Sequence, residues 1–211
     1  MALHGMMQRT IFDTPGLSRV MHWAGLLWLR VFGWRMEGRV PDAPKYVLIG
    51  APHTSNWDLP FVLALAFAFR VKIYWLAKET IFWGPFSPFF RWLGGIPVDR
   101  SKANGMVAQA IEAFEQNDRL VICIPPEGTR SKVKRWKTGF YYIALGAKVP
   151  INLSFMDFGR RAGGFGPLFQ PTGDIEADMK EIQAFYAPIR GKRPDRFAAA
   201  PSGGENSEKD T

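Results

Sequence analysis

Tyr46-Val47-Leu48-Ile49-Gly50-Ala51-Pro52-His53-Thr54-Ser55-Asn56-Trp57-Asp58 begins as an apolar run of strand-forming residues and ends where a helix can start. A strand, a loop and a helix in that order form the repeating unit of an α/β domain, and such domains carry their chemistry at the exits of their strands. Here the exit holds His53 and, after four intervening residues, Asp58, so that one helical turn can return the carboxylate to the imidazole. An aspartate that accepts one ring N–H fixes the tautomer and stabilises the imidazolium, leaving the second nitrogen as a general base. Such a pair suits removal of a proton from a hydroxyl that attacks a carbonyl. The same residues also fit a capping box, with Ser55 as N-cap and Asp58 three residues later. The two readings are compatible.

Outward from this stretch, short apolar runs alternate with helical patterns. Residues 46–49, 72–76, 96–98, 120–124 and 149–155 read as strands. In 104–116, Val107, Ala110, Ile111 and Phe114 make one apolar helical face, and Ile175, Met179, Ile182 and Tyr186 do so in 174–186, with Asp174 as the expected N-cap. Segment 81–93 crowds Trp83, Phe86, Phe89, Phe90 and Trp92 around Gly84, Pro85 and Pro88. The prolines argue against one straight helix, and the aromatic side chains suit either core packing or a wall for an acyl chain. The length of 211 residues suits one catalytic domain, expected over 41–190, because single cores seldom divide below about 250 residues. From Gly191 the composition turns to Gly, Pro, Ser and charge, which marks 191–211 as a disordered tail.

Residues 1–40 are expected to form an N-terminal amphipathic helical segment. Segment 17–36 mixes Trp and Leu with Arg19, His22, Arg30 and Arg35, a composition that suits a helix lying in a membrane interface or one packed on the protein's own core. The longest apolar run, 59–69, falls well short of the roughly 20 residues that span a bilayer, and 1–10 has no apolar core of a secretory signal. A formal charge of +8 favours anionic partners: nucleic acid, an anionic membrane or phosphorylated substrates. The single cysteine, Cys123, excludes an intramolecular disulfide and sits in an apolar run as a small buried hydrophobe.

A second strand exit carries Pro126-Glu127-Gly128-Thr129-Arg130-Ser131. Gly128 permits close backbone approach, Thr129 and Ser131 supply hydroxyls, and the Arg130 fork matches phosphate. Gly94-Gly95-Ile96-Pro97-Val98-Asp99-Arg100 places another arginine after a short strand. With Val149-Pro150-Ile151, these blocks occur in the order of the lysophospholipid and glycerolphosphate acyltransferase family, which the chain resembles over 47–151. Pro52, Pro125 and the Pro97-Val98 pair depart from residues common in that family, while the His–Asp pair is intact.

The resemblance implies an α/β, glycerolphosphate-acyltransferase-like fold, a central sheet flanked by helices, beside the interfacial N-terminal segment. It implies transfer of an acyl group from coenzyme A or acyl carrier protein to a lysophospholipid hydroxyl, with 1-acylglycerol 3-phosphate the expected acceptor and phosphatidate the product. His53 would be the base and Asp58 its partner. Arg130, assisted by Arg100, would hold the acceptor phosphate, and Glu127, Gly128 and Thr129 would shape the acceptor site. Neither a cofactor nor a metal is called for, since the thioester is already activated. The protein is expected at the cytoplasmic face of the membrane, held peripherally by its lipids.

Two other classes compete. A serine hydrolase lacks its Gly-x-Ser-x-Gly elbow, and His4, His22 and His53 show no zinc-ligand spacing; hydrolysis of the thioester by water is the hydrolase reading that survives. Lys132, Lys134, Arg135 and Lys137 around Trp136 would suit a nucleic-acid backbone, but serve an anionic lipid, an acidic carrier or the donor's phosphates equally well. No nucleic-acid partner is expected.

Overall fold

A computed structural model describes residues 9–98, 103–133 and 135–197. A short 3-10 turn, Ile11–Asp13, leads into helix α1, Leu17–Val31, and strand β1, Arg35–Glu37. Strand β2, Lys45–Ile49, is followed by α2, Asp58–Phe69, and β3, Tyr74–Lys78. A 3-10 turn, Glu79–Phe82, and the short helix α3, Ser87–Trp92, precede β4, Gly95–Val98. Then come α4, Ala103–Gln116, β5, Leu120–Ile124, and α5, Gly139–Ala147. Strands β6, Ile151–Asn152, β7, Phe155–Asp157, β8, Ala162–Gly164, and β9, Leu168–Phe169, lead to α6, Ile175–Tyr186, and a last 3-10 turn, Pro194–Arg196.

The larger sheet has the order β4-β3-β5-β2-β6-β9 and is parallel except at β9. Its centre is β5 beside β2, two strands buried along nearly their whole length, which is why both read as unbroken apolar runs rather than as alternating ones. Alternate residues serve opposite faces. Val47, Ile49, Ile122 and Ile124 join Ala110, Phe114, Phe140, Ile143 and Ile182 from α4, α5 and α6 on one side. Tyr46, Leu48, Val121 and Cys123 face Ala66 of α2 on the other. A smaller sheet, β1-β8-β7, carries the N-terminal segment into the same body.

Helix α2 explains the longest apolar run. One side of it packs on the sheet, while Phe61, Ala64, Leu65 and Ala68 meet Leu29 of α1; a helix apolar all round belongs between two layers. The α1–α2 approach is close enough that a Cβ at Gly25 would lie 2.7 Å from the Ala64 carbonyl oxygen. The opposite face of α1 is bare: Val20, Trp23, Leu27 and Val31 are 60–71% exposed. The core-packed reading of this segment holds for one face of α1, and the other face is apolar and exposed.

Several boundaries differ from the sequence reading. The helix in 17–36 stops at Val31, and 35–37 pairs as β1 with β8. The strand expected at 72–76 begins at Tyr74, since Lys72 lies outside the sheet, paired with Asp13 at 2.6 Å. The single strand expected over 149–155 is divided between the two sheets. Between its halves the Leu153 N–H donates to the Pro167 carbonyl and the Ser154 hydroxyl to that of Ile49, so the chain changes partners there. Segment 81–93 is broken into a 3-10 turn and α3, as its prolines require. Asp174 caps α6 by accepting from the Ala177 N–H. Of the expected tail, 191–197 are packed: Gly191 is buried against Thr54, the Arg193 N–H donates to the Thr54 hydroxyl, and Phe197 meets Trp136. Residues 198–211 lie outside the described residues.

Candidate active site

The parallel register places Ile49 opposite Ile124, so the loops that leave β2 and β5 start side by side. The β2 loop contains a cis Ala51–Pro52 peptide and brings His53 back over the start of α2. His53 Nδ1 lies 3.2 Å from Asp58 Oδ2. The same carboxylate oxygen accepts the N–H groups of Thr54 at 2.7 Å and Ser55 at 2.9 Å. Asp58 is 1% exposed, whereas the His53 side chain keeps 23% of its surface open. The carboxylate half of the capping box is therefore present and coincides with the His–Asp pair. The hydroxyl half is not: Ser55 Oγ accepts from the Trp57 N–H. With Nδ1 turned to the carboxylate, Nε2 is the nitrogen left for a substrate proton.

The β5 loop supports this arrangement from behind. Glu127 is 2% exposed, and its Oε1 accepts the His53 backbone N–H at 2.9 Å. Burial pushes its carboxyl up to about 7 despite that hydrogen bond, and the neighbouring Asp58 adds to the rise. Glu127, expected in the acceptor site, lies under the histidine loop and accepts the backbone N–H of His53. Gly128 has φ +65°, and the Lys137 side chain passes so close that a Cβ would sit 3.0 Å from its Cδ. Thr129 and Arg130 are exposed beyond it.

His53, Asp58, Gly128, Thr129 and Arg130 all line one cavity of about 760 Å³. Lys78 and Asn56, which sequence reasoning passed over, line it too. Lys78 ends β3, the other parallel neighbour of β5, so the rule that chemistry collects at strand exits would have found it. Ile81 and Phe90 supply an apolar wall from the aromatic segment, while Trp83, Phe86 and Phe89 of that segment are 50–70% exposed. Beyond Gly50, Val62 and Met156, which face both spaces, a narrow apolar hole of about 40 Å³ runs between α2 and the sheet. Arg100 lies outside the described residues.

Cys123 touches the cavity, but burial pushes its thiol up to about 12, far from a reactive thiolate. Lys132, Arg135 and Lys137 are exposed, whereas Trp136 is 6% exposed and packed on Tyr186, so it offers no stacking face to a base. Lys134 lies outside the described residues. Among the described residues no three His, Cys, Asp or Glu side chains gather as metal ligands. No helix among them is long and apolar enough to cross a membrane.

A His–carboxylate pair at the exit of a parallel strand, over a cavity with an apolar wall and a cationic rim, is an arrangement that suits acyl transfer in an α/β enzyme. The chain belongs to the acyltransferase family, whose model matches residues 35–152. Among solved structures it is similar to the 1-acyl-sn-glycerophosphate (LPA) acyltransferase PlsC of Thermotoga maritima. That likeness has a TM-score of 0.57 at 18% identity, over 83% of this chain and 82% of the other, and shows that the fold is shared. No curated protein matches the chain.

Proposed function

We propose that this enzyme transfers a fatty acyl group from the thioester of coenzyme A or acyl carrier protein to the hydroxyl of a lysophospholipid. The acceptor is 1-acylglycerol 3-phosphate and the product phosphatidate. The observation that carries the reading is the contact of His53 Nδ1 with Asp58 Oδ2 at the wall of a cavity that also presents Arg130 and Lys78. Asp58 holds the imidazole so that Nε2 removes the proton of the acceptor hydroxyl as its oxygen attacks the thioester carbonyl. The tetrahedral intermediate collapses by breaking the C–S bond, and the departing thiolate takes the proton from the imidazolium. The acyl group passes directly to the acceptor, so neither an acyl-enzyme nor a metal is required.

Arg130, with Arg100 assisting, binds the acceptor phosphate, because a guanidinium matches two phosphate oxygens at once. Glu127 holds the histidine loop, and Gly128 and Thr129 form the lip between it and Arg130. The reaction takes place at the cytoplasmic face of the membrane, with the exposed stripe Val20, Trp23, Leu27 and Val31 lying in the interface. The test is incubation of the purified chain with 1-acylglycerol 3-phosphate and each acyl donor in turn. Phosphatidate should form in step with free thiol. Thiol release at the same rate without any acceptor would identify a thioester hydrolase instead.

A further inference from the structure

Behind the histidine loop lies a second cavity, of about 590 Å³, which shares neither His53 nor Asp58 with the first. Its walls include Phe32, Trp57 and Phe158, and its charged lining consists of Arg161, Arg190 and Lys192. Among the described residues none of these three cations is paired with a carboxylate. The contrast with the adjacent Arg160, which is bound to both Asp157 and Glu37, is direct. Arg161 lies over Gly33, the aliphatic part of Arg190 lies against Gly159, and Lys192 Nζ stands 5.6 Å from the centre of the Phe158 ring. Arg190 is thus packed by its stem, Arg161 by its guanidinium and Cδ, and the Lys192 ammonium by the Phe158 ring, and none of the three charges meets a carboxylate among the described residues.

The cavity is continuous with the bare face of α1, since Val31 belongs to both the exposed stripe and the cavity lining. An occupant that matches both features has a phosphate for the cations and an apolar body for Phe32, Trp57 and the stripe. We propose that this cavity is a docking site for the phosphate headgroup of an anionic membrane phospholipid, separate from the acceptor's own site. The proposal rests on the interfacial reading of α1. The guanidinium groups of Arg161 and Arg190 clasp phosphate oxygens and Lys192 adds a point charge, all three being exposed to an approaching headgroup. Trp57 sits at the level of the headgroups, where indole side chains are favoured. Because Trp57 closes the loop that begins at His53, the docked headgroup holds the catalytic cavity beside the bilayer. Gly191 and Arg193, which follow Arg190, bear on Thr54 of the same loop.

The test is co-sedimentation of the full chain with vesicles of phosphatidylcholine, with and without phosphatidylglycerol, a lipid that is neither acceptor nor product of the proposed reaction. The wild-type chain should prefer the anionic vesicles. The variant R161Q/R190Q/K192Q should bind them on the order of a hundredfold less tightly, since each basic side chain at an anionic surface is worth roughly fivefold. Its turnover of water-soluble short-chain substrates should be unchanged. A matched variant, R119Q/K148Q/K180Q, which removes equal charge away from the cavity, should lose less than about fivefold, the worth of one such charge. Should the first triple variant fold poorly, Arg161→Gln alone reads the same effect as a single step of about fivefold. Equal losses in the two triple variants would reduce the effect to bulk charge and overturn the proposal. So would unchanged vesicle binding in the first variant, and a loss of desulfo-coenzyme A binding beside it would assign the cavity to the donor. If the wild-type chain binds neither vesicle, the interfacial reading of α1 falls as well.

Discussion

Two carboxylates are buried at the ends of the adjacent central strands, Asp58 after β2 and Glu127 after β5, and both reach the same histidine by different atoms. Asp58 Oδ2 meets the ring Nδ1 and two backbone N–H groups, while Glu127 Oε1 takes the backbone N–H of His53. Each carboxylate also has one oxygen without a hydrogen-bond partner among the described residues. Burial is therefore common to the two, and the atom of His53 that each one touches is what separates them. A carboxylate on the ring sets which nitrogen carries the proton and offsets the charge that forms during turnover. One on the main chain fixes where the ring stands.

The comparison is sharpest in turnover. His53→Ala should lower kcat by roughly 10²- to 10⁴-fold, the usual worth of general acid–base catalysis. Asp58→Asn should be of similar severity, because the amide cannot balance an imidazolium and can favour the wrong tautomer. If ring and carboxylate act as a unit, the double variant should be little worse than the more damaged single one. Steady-state rates and melting temperatures of the three variants check this. Were Asp58 only a helix cap, Asp58→Asn would cost stability while His53→Ala left kcat nearly intact, and the distinction between the two carboxylates would collapse.

A smaller effect is expected at the exposed end of the β5 loop. Arg130→Lys keeps the charge but loses the planar fork, so KM for a phosphorylated acceptor should rise on the order of tenfold, as for the loss of one charge-assisted hydrogen bond of roughly 1.5 kcal/mol. KM for the acyl donor should hardly change. A rise in donor KM instead would move Arg130 out of the acceptor site and leave Lys78 as the candidate phosphate ligand on that cavity wall.

How much of this was legible depended on whether the signal was local. The central strands β2 and β5 and helices α4 and α6 follow from runs and periodicities contained in a few residues, and the His53–Asp58 contact spans one helical turn. Strands β1, β8 and β9 are two or three residues long and are defined by partners far along the chain, as when Arg35 pairs with Ala162. No local pattern marks such elements. The contact of Glu127 was hidden for the same reason: its partner is the main chain of a residue 74 positions away, reached through the Ile49–Ile124 register. The bare face of α1 was half visible, since apolar residues in a helix declare that something will cover them and not what.

The smallest effect, and the one that isolates Glu127 from Asp58, concerns pH. Burial raises the Glu127 carboxyl from an ordinary 4.5 to about 7, so the fold favours its protonated form. The stabilising contribution of such a group is fully present below the unfolded-state value and is lost as pH rises through the folded one. Over that window the wild-type chain should lose up to about 3 kcal/mol from this residue, since each tenfold difference in proton affinity between the folded and unfolded chains is worth about 1.4 kcal/mol. Glu127→Gln keeps a carbonyl oxygen for the His53 N–H and removes the titration. The difference in melting temperature, variant minus wild type, should therefore grow more positive between pH 5 and pH 8, while kcat at the upper pH stays within a few-fold of wild type. Asp13 and Asp178, whose carboxyls are held below their usual range by hydrogen bonds that outweigh their burial, slope the other way. They are common to both chains and cancel in the difference. A pH-independent difference would mean that Glu127 does not titrate in this range. A loss of kcat as deep as that of Asp58→Asn would mean that Glu127 acts in the proton transfer itself, and the two carboxylates would then be partners in one function.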